Sequence, residues 1–214
     1  TQALIADKPW IGLAYPTVAS LNDPQFEPVQ HPFEVQKMLE WVLIPTATLF
    51  RKAAWEAVGG YFPTGYEDWD FWLGCLELGY FPQPLPEARF YYRSSLSGVY
   101  GRHLSQDGLF KAKIIDRHPA LFSSLQRYWA QKVLAQPEAL SLHNAFRAGT
   151  MPHFPGDTVS PCVEVLESLL ARFYAYPKPH LTLKEQVALH LTRLPFTHSP
   201  HEIVWESPGE TSAG

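Results

Sequence analysis

Gly59-Gly60-Tyr61-Phe62-Pro63-Thr64-Gly65-Tyr66-Glu67-Asp68-Trp69-Asp70-Phe71-Trp72-Leu73 is the stretch whose reading decides how this chain folds. Trp69, Trp72, Leu73 and Leu76 fall at i, i+3, i+4 and i+7, one apolar stripe of a helix running from Tyr66 to Leu78. Gly79 closes that helix. Ahead of it, Arg51 to Val58 reads as a compact helix ended by Gly59-Gly60, where a residue with positive φ is ordinarily found.

Three carboxylates, Glu67, Asp68 and Asp70, occupy the first turn of the second helix. Acidic side chains there complement the helix dipole and the free N–H groups, at roughly 0.3–1 kcal/mol each, so capping alone can account for them. A metal-binding Asp68-x-Asp70 pair is the second possibility. Helix geometry opposes it, because residues i and i+2 point about 200° apart and cannot close on one cation. A third reading separates the roles: Asp68 lies about 90° from the centre of the apolar stripe, at an edge where a helix meets a cleft. Asp70 falls on the other flank, towards Glu77. A single carboxylate beside Trp and Tyr suits a general base working on a sugar hydroxyl, with aromatic faces against the apolar side of the ring.

Working outward, Trp10 to Tyr15 reads as a short buried strand stopped by Pro16, followed by a loop to about Pro32. Helical spacing returns from Phe33 to Trp41, and Thr46 to Phe50 is β-prone. Past Gly79, two β-prone pieces, near Tyr80 to Phe81 and Ala88 to Tyr92, are separated by Pro82, Pro84 and Pro86. Ser94 to His103 is a Ser/Gly loop. Five helical segments follow: Ser105 to Asp116, Ala120 to Leu134, Pro137 to Ala148, Pro161 to Tyr176 and Leu183 to Leu194. Ser160-Pro161 gives a cap followed by proline at the first helical position, and Thr182 to Glu185 has capping-box spacing. Residues 207–214 are small and polar and read as a frayed tail.

The bulk numbers bound the function. The chain has 214 residues, 46% hydrophobic and 18% charged, with seven Trp, enough for a real core. A net charge of -4 gives no basic field for a phosphate backbone, which argues against nucleic acid. Two cysteines, Cys75 and Cys162, form no CxxC pair and suggest a reducing, cytoplasmic setting. No apolar run approaches the roughly 18 residues of a membrane helix. The residues before Trp10 lead straight into an apolar strand, as in the middle of a domain, and an uncovered strand there would favour self-association.

From Ile44 to Arg93 the chain resembles the second half of the catalytic domain of inverting family-2 glycosyltransferases. The likeness rests on an ordered set: Leu49-Phe50-Arg51, then Val58-Gly59-Gly60-Tyr61, then Gly65-Tyr66-Glu67-Asp68-Trp69-Asp70, then Tyr91-Tyr92-Arg93. The resemblance implies an α/β, helix-rich chain: a partial GT-A-like domain of few short strands over residues 1–104, then a mainly helical region over 105–206. It implies transfer of a sugar from a nucleotide-sugar donor to a saccharide or other hydroxyl acceptor, with inversion. Asp68 would be the catalytic base, Glu67, Tyr66, Trp69 and Asp70 would hold the acceptor, and Arg93 and His103 would approach the donor diphosphate.

The family's nucleotide-binding half precedes this region and ends in a metal-binding Asp-x-Asp. No counterpart stands before Trp10, where Asp7 is solitary. The expectation is therefore that a divalent cation, Mn or Mg, serves the complete enzyme and is not bound by this chain alone, and that the chain associates with the missing half. The helices after Leu104 lie beyond the likeness. A rival expectation is a non-catalytic helical module that docks a partner. His198 and His201 lack the converging ligands zinc needs, no Gly-x-Ser-x-Gly elbow is present, and Phe173, Tyr174 and Tyr176 read as core or loop anchors.

Overall fold

The computed structural model describes residues 8–23, 25, 27–93, 104–137 and 147–175. They form a mixed α/β arrangement, in chain order β1 (Ile11–Ser20), α1 (Val35–Glu40), β2 (Leu49–Phe50), α2 (Lys52–Val58), α3 (Glu67–Glu77), β3 (Phe81–Tyr92), a 3-10 turn (Leu104–Gln106), α4 (Asp107–Arg117), α5 (Ser124–Ala135) and α6 (Pro161–Ala175). The expected segments over 138–146 and beyond 175, including Leu183 to Leu194, His198, His201 and the tail, lie outside the described residues, as does the loop 94–103.

The sheet has the order β2-β1-β3, with β1 antiparallel to β2 and parallel to β3. A parallel pair needs a long crossover, and the α1–α3 segment supplies it. Leu13, Ala14 and Tyr15 are all buried, so the first strand is covered rather than left exposed, and its apolar run fits a strand enclosed on both faces.

Two expectations about proline are corrected. Pro16 does not stop β1, which runs on to Ser20; β2 pairs only with Leu13 and Ala14, and a register shift between Pro16 and Thr17 accommodates the missing donor. Likewise the two β-prone pieces are one strand, β3. Phe81 donates its N–H towards β1, to the carbonyl of Trp10, so Pro82 and Pro84 place their missing donors on the other edge, while Pro86 falls in the irregularity between Leu85 and Arg89, its carbonyl accepting from Thr17 Oγ1 at 3.3 Å. The other edge has no partner strand among the described residues, so no ladder hydrogen bond is lost there.

Helix α3 is the centre of the molecule. Trp69, Trp72, Leu73 and Leu76 are fully buried as the stripe requires, but so are Phe71 and Cys75, which lie outside it. Phe71 packs against Phe50, Trp55 and Tyr61, with centroids 5.2, 5.2 and 5.5 Å away, and the region after Leu104 adds to the same core. Phe110, Ile114, Ile115, Trp129, Val133 and Leu166 share one core with the α3 aromatics. Residue 104 is thus no seam in packing: Val35 N–H donates to Glu167 of α6 at 3.1 Å, and Trp41 forms a β-bridge with Thr150.

Local signals set the ends of these helices. Gly59 sits at φ 88° in the left-handed region and closes α2. Ser123 and Gln126 form a capping box at the start of α5, later than the expected Ala120, because Leu121 and Phe122 turn inward. Ser160 Oγ accepts from the Cys162 N–H ahead of α6.

Candidate functional site

The site begins with Gly65, whose φ is +97° and whose added Cβ would lie 2.4 Å from the Phe110 ring of α4. Only glycine meets both conditions, and this bend launches α3 with Glu67, Asp68 and Asp70 in its first turn. Glu67 is exposed and Asp68 is half-buried. Asp68 Oδ2 accepts from Thr46 Oγ1 at 2.6 Å, and Asp68 Oδ1 accepts from the Trp69 N–H at 2.8 Å.

Tyr61 completes this surface. Its ring is 39% exposed and is wedged against Trp55 and Phe71, with centroids 5.0 and 5.5 Å away. Partial burial pushes its phenol up, and the negative charges of Asp68 and Glu67 push it further. Phe50 stacks on Trp55 at 5.3 Å, so Tyr61 sits at the end of a rigid aromatic group.

Three residues expected at the acceptor are placed elsewhere. Trp69 is fully buried and donates its indole N–H to the Met38 carbonyl at 2.7 Å. Tyr66 is buried, and its hydroxyl donates to Asp107 Oδ1 at 2.6 Å. Asp70 has no exposed surface; its Oδ1 accepts from Arg117 Nε at 2.8 Å and lies 3.3 Å from His118 Nε2 without hydrogen-bond alignment. Trp69 lies on the apolar stripe itself, whereas Tyr66 and Asp70 face inward because α4 covers the flank of α3 that a single stripe would leave to solvent.

Asp70 belongs to a buried ionic cluster. His118 Nδ1 is 2.7 Å from Glu77 Oε2, and the Arg117 guanidinium stacks 3.5 Å from the Phe62 ring. Burial lowers the affinity of His118 for a proton, but Glu77 and Asp70 together outweigh it and raise its pKa to about 9. A second cluster lies below: Lys111 is ion-paired with Asp107, which also accepts from the Gly149 N–H at 2.8 Å.

These arrangements do not fit a divalent cation on Asp68 and Asp70. One carboxylate is at the surface with a hydroxyl partner; the other is committed to Arg117 inside. Among the described residues no group of three His, Cys, Asp or Glu converges. Arg93 is exposed just past the end of β3, and no hydrogen bond or ion pair joins it to Asp68 or Glu67 among the described residues; His103 lies outside them.

Thr46, Tyr61, Arg117 and His118 are the participants that sequence reasoning missed. Tyr61 carried a signal, being an aromatic six residues before Glu67 in a glycine-bounded loop. Thr46 and Arg117 carried none, since their partners lie 22 and 47 residues away.

No family model, curated protein or solved structure matches the chain. Among the described residues no helix is long and apolar enough to cross a membrane.

Proposed function

We propose that this chain supplies the acceptor side of an inverting glycosyltransferase, with Asp68 as the general base. The observation that carries this reading is the separation of Asp68 from its neighbours. Of the first-turn carboxylates, Asp70 is neutralised inside, while Asp68 is held at the surface by one hydroxyl and one amide. An ionised carboxylate offers about four lone-pair sites, so two remain for an incoming hydroxyl.

In this reading Asp68 takes the proton of the acceptor hydroxyl as its oxygen bonds to the anomeric carbon. The bond from that carbon to the nucleoside diphosphate breaks on the opposite face, and the electron pair leaves with the diphosphate. Glu67 accepts from further acceptor hydroxyls, and the Tyr61 ring lies against an apolar sugar face. Arg93, exposed past the end of β3, is the cation this reading assigns to the leaving charge, and the divalent ion of the complete enzyme falls to residues other than Asp68 and Asp70. The two buried, unbridged thiols of Cys75 and Cys162 suit a cytoplasmic enzyme.

A second reading, a non-catalytic docking module, draws on Tyr128 of α5, which is 60% exposed. One experiment separates them. In the full-length protein, supplied with UDP-, GDP- and dTDP-sugars, Asp68→Asn lowers sugar transfer by at least ~10²-fold if Asp68 is the base. Unchanged transfer removes the base, and no transfer by the wild type leaves the docking module.

A further inference from the structure

We infer that Thr46 is a positioning residue for Asp68, setting the plane of its carboxylate for proton abstraction; this rests on the reading of Asp68 as base. An aspartate χ2 is a broad, roughly two-fold torsion, so a surface carboxylate left alone samples many orientations. Here each oxygen receives one bond from a different part of the chain: Oδ1 from the Trp69 N–H, Oδ2 from Thr46 Oγ1 at 2.6 Å. Two donors on two oxygens define a plane, and the lone pairs left over then point in fixed directions.

Thr46 is itself held. Ile44 before it is buried, and Thr48 after it is buried with its hydroxyl donating to the Pro45 carbonyl at 2.6 Å. Those anchors close a tight turn around Thr46, whose proline neighbour limits the backbone further. The threonine side chain is β-branched and restricted at χ1, which limits the places its oxygen can occupy, and the hydroxyl hydrogen turns to meet Asp68. The turn also leads directly into β2, which pairs with β1, so the segment that holds the donor is tied to the sheet. Rigid support of this kind is what brings a base to its proton within the tolerance that proximity effects demand.

A surface hydroxyl bonded to a surface carboxylate could serve stability alone, and the kinetics separate the two roles. In the full-length protein, Thr46→Val removes the donor and keeps the shape. The expected result is a kcat lowered roughly 10- to 100-fold, with acceptor KM and melting temperature unmoved, because only the geometry of the transferring step is lost. Thr46→Ser restores the hydroxyl and recovers most of the loss. In an Asp68→Asn background, Thr46→Val produces no further loss, since the two act as one unit. Full kcat in Thr46→Val, failure of Thr46→Ser to recover it, or a change confined to melting temperature overturns the inference while the base reading stands on its own variant. If Asp68→Asn transfers sugar as the wild type does, the base reading falls and this inference falls with it.

Discussion

Arg117 Nε donates to Asp70 Oδ1 at 2.8 Å, and the same guanidinium lies 3.5 Å from the Phe62 ring. One side chain at the end of α4 thereby holds both the first turn of α3 and the loop that leads into it. The region after Leu104, which lies beyond the glycosyltransferase-like motifs, is thus part of what supports Asp68. Arg117→Met leaves Asp70 buried with His118 as its remaining counter-charge. The expected cost is about 3 kcal/mol, the low end for a broken buried pair because Arg117 is partly exposed. Urea denaturation measures it, and a loss below the error of the fit would show that the pair is energetically idle.

His118 makes stability depend on pH in a defined direction. Its pKa rises on folding from 6.5 to about 9, although burial opposes this, because Glu77 and Asp70 favour the imidazolium. The folded state therefore holds the proton more tightly. Its contribution is complete below pH 6.5 and is lost as pH rises through about 9. Denaturation midpoints should fall across that window in the wild type. Glu77→Gln removes the larger of the opposing charges and should flatten the slope; an identical slope in the variant would exclude His118 as its source.

Gly65 is required on two grounds that can be separated. Gly65→Ala forces a side chain into positive φ, at roughly 1–2 kcal/mol, and drives its Cβ against Phe110. A total loss of at least about 2 kcal/mol is expected by thermal or chemical melting. If the ring clash is real, Gly65→Ala costs less in a Phe110→Ala background than in the wild type, with the backbone share remaining.

Tyr61 should matter for acceptor affinity and not for the chemical step. Under the proposed function, Tyr61→Ala raises acceptor KM by roughly 2- to 10-fold, the range of an aromatic contact of about 0.5–1.5 kcal/mol. Tyr61→Phe keeps the ring and most of the affinity. Steady-state kinetics with a saccharide acceptor decide this: an unchanged KM in Tyr61→Ala would place the acceptor elsewhere.

Much of the local architecture was legible in the residues. The helix over Tyr66 to Leu78, the Gly59 terminus and the Ser160-Pro161 start all emerge, since periodicity and caps act within a few residues. The continuous β3 was not legible. Prolines in a run argue against a strand unless their missing donors fall on an unpaired edge or at a bulge, and pairing is a property of the sheet.

The site divides in the same way. By itself the sequence determined that Glu67, Asp68 and Asp70 would share one helical turn, and that Asp68 and Asp70 would diverge, because 100° per residue settles both. Only the tertiary structure decided which of them faces solvent. A single apolar stripe predicts one buried side of α3, whereas helix α4 covers a second side and takes Asp70 and Tyr66 inward with it. Thr46 meets Asp68 for a related reason: the crossover between two parallel strands brings together residues 22 positions apart, a contact written in no local pattern.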